Sequence, residues 1–125
     1  VADHVEFRDH VDDVEQLMKS VDVVLNFSES ESFSLTCLEA LFYGTPLIAT
    51  DCGGPAELFE NEISGLLVPN RDAQAMTAAM VKLSLDQKSR EAFSQAGKKF
   101  ATEKFHIEKS ARILESLYDR DKIMR

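Results

Sequence analysis

In the first 70 residues of this 125-residue chain, continuous apolar runs alternate with segments of helical period. "DVVLNF" (Asp22 to Phe27) reads as a central strand of a parallel sheet, "PLIAT" as another buried strand, and "GLLVP" as a last short strand. "HVEFR" reads as a further short strand ahead of them. Helical stretches separate the runs. "DDVEQLMKS" sets Val14, Leu17 and Met18 at helical spacing, with Asp12 or Asp13 as cap. "SLTCLEALFY" does the same with Leu35, Leu38, Leu41 and Phe42; Ser34 is placed as N-cap, and Gly44 stands where a C-terminal glycine is favoured. "GPAELFEN" offers Gly54 as N-cap, Pro55 first and Glu57 third. Strands alternating with helices mean βαβ units and a parallel sheet.

From about Arg71 the pattern is purely helical, with mixed charge on the outer faces, methionines as core filler and no site in these helices. The expected architecture is α/β: a Rossmann-like core over residues 1–70, then a C-terminal helical segment of the same domain over residues 71–125.

A net charge of −8 argues against nucleic acid or an anionic membrane as partner, because phosphates would be repelled. No segment approaches the roughly 20 apolar residues that span a bilayer. The acidic N-terminus lacks a signal peptide's charged and apolar regions, so the expected location is cytoplasmic, with membrane-peripheral attachment left to missing parts. The absence of an initiator Met reads as an excised or trimmed piece. Cys37 and Cys52 fit neither a metal pattern nor a disulfide framework and are expected to be reduced and mostly buried.

Glu31 and Glu39 bracket the start of the second helix. With Ser34 as cap, Glu39 lies five positions inside, about 7 Å along the axis. The free N–H groups of Leu35 and Thr36 lie between the carboxylates and form an anion site with the helix dipole. The junction follows the "DVVLNF" strand, and ligands bind at strand C-termini in open α/β sheets. A nucleoside diphosphate sugar suits this layout: diphosphate on the N–H groups, a ribose diol on one carboxylate, sugar hydroxyls on the other. Spacing alone leaves a second reading open, in which Glu39 is an exposed helix residue and Glu31 part of a solvated acidic loop.

The order of the whole segment resembles the signature of the retaining, nucleotide-sugar-dependent group 1 glycosyltransferases with the GT-B fold. The matching residues are Glu31, Ser32-Phe33-Ser34, Glu39-Ala40, Gly44-Thr45-Pro46, "LIATDCGG", Glu57 and Gly65-Leu66-Leu67-Val68. The match covers about Val5 to Asn70. The resemblance implies that Glu31 is the catalytic carboxylate and contacts the donor sugar hydroxyls. Phe33 and Ser34 would line the sugar pocket, Leu35 and Thr36 would give N–H groups to the diphosphate, and Glu39 would accept from the ribose diol. The family usually has Gly-Phe-Gly where this chain has Ser-Phe-Ser; serine keeps the turn small but carries a cost wherever φ must be positive.

The resemblance further implies no metal and no cofactor. It places the Arg and Lys that neutralise the diphosphate, and the domain that binds an acceptor glycan or lipid-linked glycan, in parts absent from this chain. Neither Arg8 nor Lys19 is assigned to that role. The family sheet runs 3-2-1-4-5-6, with "HVEFR" third and "DVVLNF", "PLIAT" and "GLLVP" fourth to sixth. The expected fold is therefore a GT-B C-terminal domain lacking its first strands, with an open "DVVLNF" edge prone to edge-strand self-association. The implied activity is transfer of a hexose from a nucleoside diphosphate sugar by the intact protein, the fragment alone being inactive. Alternatives are another GT-B enzyme (an epimerase or a phosphorylase) or a non-catalytic nucleotide-sugar-binding module.

Overall fold

The computed structural model describes residues 1–123. Helix α1 (Val14–Ser20) leads into strand β1 (Val24–Asn26), helix α2 (Leu35–Tyr43), strand β2 (Leu47–Asp51), the short helix α3 (Pro55–Leu58) and strand β3 (Leu66–Pro69). Helices α4 (Ala73–Leu85), α5 (Gln87–Lys104) and α6 (Ile107–Ile123) follow. The strands form a parallel sheet in the order β1-β2-β3. Val24 is in register with Leu47, and Ile48 with Leu66. The three apolar runs and their helical crossovers thus fold as a partial Rossmann-like sheet.

Caps set the helix bounds. Asp13 accepts from the Gln16 N–H, Ser34 from Cys37, Asp72 from Ala75 and Asp86 from Ser89. Gly44 ends α2 at φ +77, its N–H returned to the Ala40 and Leu41 carbonyls. Pro55 opens α3, where its missing N–H costs nothing.

Side chains alternate across the sheet, so β2 feeds two cores. Leu47 and Ala49 join Met18, Cys37, Ala40, Leu41, Leu58 and Ala101 beneath α1, α2 and the C-terminal half of α5. Ile48 joins Leu66, Val68, Ala79, Leu83 and Phe93 on the α4 face. Helices therefore cover both faces of β2, the central strand. This consistent burial makes β2 the anchor from which the loops at the C-terminal ends are positioned.

One expected strand does not form. Ala2–His4 make a 3-10 turn that takes in the first residue of "HVEFR", and the rest of that segment is irregular and exposed, with Phe7 95% accessible. A strand is held by ladder bonds and by a buried face. Among the described residues no strand lies beside this segment, so neither stabilisation is available. Of "DVVLNF", only Val24–Asn26 pairs, and β1 is an edge strand with Leu25 45% exposed. No helix of the described residues is long and apolar enough to cross a membrane.

Candidate functional site

The loop from Phe27 to Ser34 leaves the C-terminal end of β1 and enters α2. Neighbouring loops fasten it. Thr50 Oγ1 donates to the Ser28 carbonyl at 2.5 Å. The Glu31 N–H donates to the Cys52 carbonyl at 3.3 Å, and the Gly54 N–H to the Glu31 carbonyl at 2.6 Å. Asn70 Nδ2 donates to the Glu29 carbonyl at 2.6 Å, and Arg71 pairs with the Glu29 carboxylate at 3.0 Å. The exits of all three strands are thereby joined into one surface, the usual ligand side of an open α/β sheet.

Ser34 turns the chain into α2 at φ +79, in the left-handed region that glycine adopts freely. Its hydroxyl recovers part of the cost by capping: Oγ accepts from the Cys37 N–H at 3.3 Å and from Asn26 Nδ2 at 2.7 Å. Leu35 (67% exposed) and Thr36 follow on the surface. Among the described residues, neither of their N–H groups has an acceptor within the chain. Those two donors, at the positive end of a nine-residue helix, form a patch suited to negative charge.

Asn26, which in the sequence is only one member of an apolar run, sits under this patch and is 8% exposed. Its Nδ2 reaches Glu31 Oε2 at 3.0 Å, Ser34 Oγ at 2.7 Å and Cys37 Sγ at 3.3 Å. Glu31 is half-buried, with its carboxylate turned in toward Asn26. Burial pushes the Cys37 thiol above its ordinary range, which keeps it neutral. Both cysteines are free; Cys37 is buried as expected, whereas Cys52 is half-buried.

The C-terminal helices, expected to contribute nothing here, reach the site. The Phe33 ring meets Phe105 edge-on at 5.9 Å, just past α5, and Phe105 packs on Phe100 at 6.5 Å. Lys104 Nζ stands over both the Phe100 and Phe105 rings at 5.0 and 5.5 Å and donates to the Glu57 carbonyl at 2.7 Å. Lys104 and Arg71 are thus cations near the site loop, and no local sequence signal marks either one.

Glu39 is half-buried on α2 and has no hydrogen-bond or ion-pair partner among the described residues. It lines a depression of about 170 Å³ with Leu38, Phe42, Tyr43, Ala101 and Phe105. Glu31, Phe33, Ser34, Leu35 and Thr36 therefore share one loop–helix junction, while Glu39 stands apart on the α2–α5 side. Phe105 is common to both, touching Phe33 and lining the Glu39 depression. A separate hollow of about 340 Å³, lined by Val23, Leu25, Ile48 and Met80, lies along the open β1 edge, away from these groups. Among the described residues no three metal-ligating side chains converge.

A parallel sheet with helices on both faces, and a polar loop–helix junction at its strand C-termini, define a Rossmann-like domain. Residues 1–100 match the family model for glycosyl transferases group 1, and the chain belongs to that family. A D-inositol 3-phosphate glycosyltransferase of Saccharomonospora viridis is 35% identical over 89 residues, covering 71% of this chain and 21% of the relative. The crystal structure of Anabaena HepE in complex with UDP-glucose matches with a TM-score of 0.79 and 26% identity, over 90% of this chain and 31% of that one. The C-terminal domain of a group 1 family protein (LpcC) from Francisella tularensis matches with a TM-score of 0.72 and 27% identity, over 82% of this chain and 53% of that one. The chain spans about a fifth of the length of the curated relative.

Proposed function

We propose that this chain is the donor-binding part of a retaining hexosyltransferase that uses a nucleoside diphosphate sugar. The observation that carries the reading is the α2 N-terminus: two free N–H groups, of Leu35 and Thr36, beside the half-buried Glu31 carboxylate at the C-terminal end of β1. The likeness to a UDP-glucose complex supports it. The diphosphate rests on the two N–H groups, which stabilise it as it leaves. Glu31 accepts from the donor sugar hydroxyls, Phe33 and Ser34 line the sugar pocket, and Glu39 accepts from both hydroxyls of the ribose diol. No metal or other cofactor is required in this scheme. Further cations for the diphosphate, and the surface that receives a glycan or lipid-linked glycan, come from other parts of the intact protein. The reading places that protein in the cytoplasm, with any peripheral membrane attachment made through those parts.

The test uses the intact protein, with donor affinity read by calorimetry and transfer by product formation. Glu39→Gln weakens donor binding by about 1.5–3 kcal/mol, the worth of a charged hydrogen bond. Glu31→Ala lowers turnover more than affinity for the free nucleotide, because its carboxylate meets the sugar and not the base. Unchanged donor affinity in a folded Glu39→Gln protein removes the ribose role. Donor binding without any transfer by the wild-type protein points instead to a non-catalytic binding module.

A further inference from the structure

We propose that Asn26 is a positioning residue for Glu31, a role that rests on the donor-site reading above and goes beyond it by explaining how the carboxylate is aimed. Asn26 is the last residue of β1, held in register with Ala49 of the central strand, so its backbone is as fixed as the sheet. Its side-chain amide is fixed as well. Oδ1 accepts from the Ser28 N–H at 3.3 Å and from Ser28 Oγ at 2.8 Å, which turns Nδ2 the other way. The acceptors on that side are the Glu31 carboxylate, the Ser34 hydroxyl and the Cys37 sulfur. An ionised carboxylate only accepts, so only the donor end of the amide satisfies it.

The consequence is geometric. Nδ2 occupies Glu31 Oε2 from below, and Oε1 has no partner within the chain among the described residues. One oxygen is fixed to the sheet and the other is left for a ligand hydroxyl. The same Nδ2 also holds Ser34 Oγ, the cap of the helix that carries the free Leu35 and Thr36 N–H groups. Asn26 therefore sets the spacing between the sugar-facing carboxylate and the diphosphate-facing helix end. Loose placement of such groups is costly in rate, because catalysis depends on donors and acceptors arranged before the substrate arrives.

Substitution by Asp tests this by charge. Asn26→Asp keeps the shape of the side chain but sets a second carboxylate at hydrogen-bond distance from Glu31, and two carboxylates that close share a proton. Among the described residues, titratable groups on the elements packed here include Cys37 on α2, whose sulfur meets Asn26 Nδ2, and Cys52 at the exit of β2, whose carbonyl receives the Glu31 N–H. The Cys37 thiol is held neutral by burial.

The experiment takes the intact protein and the donor it turns over among UDP-, GDP- and ADP-glucose, measuring kcat and KM from pH 5 to 9. Asn26→Leu, which puts an apolar side chain of similar size in this buried position, lowers kcat by roughly ten- to a hundredfold, with a smaller change in affinity for the free nucleotide. Asn26→Asp is slow at neutral pH and regains activity as the pH falls and the shared proton is supplied. A purely structural role would lower the melting temperature of both variants without moving the pH profile. If Glu31→Ala is slow while folded Asn26→Leu and Asn26→Asp keep the wild-type kcat and pH profile, the Asn26 inference falls and the donor reading stands. If Glu31→Ala matches the wild type, the donor reading fails and this inference falls with it.

Discussion

The Gly54 N–H donates to the Glu31 carbonyl at 2.6 Å, and Gly54 lies so close beneath the site loop that a Cβ there would overlap the backbone of Phe33 and Ser32. The loop after β2 can approach the loop after β1 only because position 54 has no side chain. Backbone atoms on both sides leave little room to yield. Gly54→Ala is expected to destabilise the protein by about 1–3 kcal/mol, as overpacking does. It also displaces Glu31, so turnover falls beyond the loss of folded protein. Denaturation midpoints and specific activity at saturating donor check the two effects separately.

Ser34 permits a sharper comparison. Its φ of +79 carries the left-handed cost of about 1–2 kcal/mol, which Gly would not bear. Its hydroxyl caps Cys37 and receives Asn26. At an N-cap, loss to Gly costs a few tenths of a kcal/mol and loss to Ala about 1. Ser34→Gly is therefore expected to match or exceed the wild type in stability, with Ser34→Ala below both. A melting series of the three proteins decides it, and Ala at or above Gly would contradict the strained-cap account.

These two positions also show what could be read beforehand. The three strand runs, the helix periods and most caps are local signals, and they placed β1 to β3 and α1 to α3 near their observed bounds. The cost of Ser34 was legible too, because serine stands where the resembled pattern has glycine. "HVEFR" failed because its strand-like composition says nothing about whether a partner strand is present. Asn26 was missed since its acceptors lie 5, 8 and 11 residues downstream and meet it only after the crossover into α2. Lys104 and Phe105 were missed for the same reason over a greater span: only the packed fold brings the end of α5 to Phe33 and Glu57.

Phe105 links the Phe33 loop to the Glu39 depression. Removing its ring costs the edge-on contact, about 0.5–1.5 kcal/mol, and some apolar burial besides. Phe105→Ala should therefore raise the donor KM as Phe33 loosens, while Phe105→Leu, which retains much of the packing volume, restores most of the stability but less of the donor affinity. Equal KM values in all three proteins would separate Phe33 from the sugar pocket.

Asp86 gives the expected pH dependence of stability. The Ser89 hydroxyl and N–H hold its carboxylate below its ordinary range, because both bonds favour the charged form. A carboxylate with a depressed folded value contributes stability that is complete above its unfolded value, near pH 4, and is lost as the pH falls through the folded one. Asp86→Asn keeps a cap but removes the titration. Below about pH 4 the wild type should thus lose melting temperature more steeply than Asp86→Asn, with parallel curves at neutral pH.

The open side of β1 carries the last prediction. Val24 and Asn26 face the α1–α2 core, whereas Leu25 is 45% exposed and borders the hollow lined by Val23, Ile48 and Met80. The outer ladder groups of β1 have no strand to pair with among the described residues. An edge strand with an apolar flank is a template for another chain. The isolated 125-residue chain is therefore expected to self-associate through β1. It is also expected to transfer no sugar, because the proposed reading assigns the remaining cations and the acceptor surface to other parts of the intact protein. Leu25→Lys places a charge on that flank and should shift the isolated chain toward monomer in sedimentation velocity without lowering its melting temperature, because the side chain leaves a half-exposed site. A wild-type chain that stays monomeric at high micromolar concentration, or one that transfers sugar alone, would overturn this account.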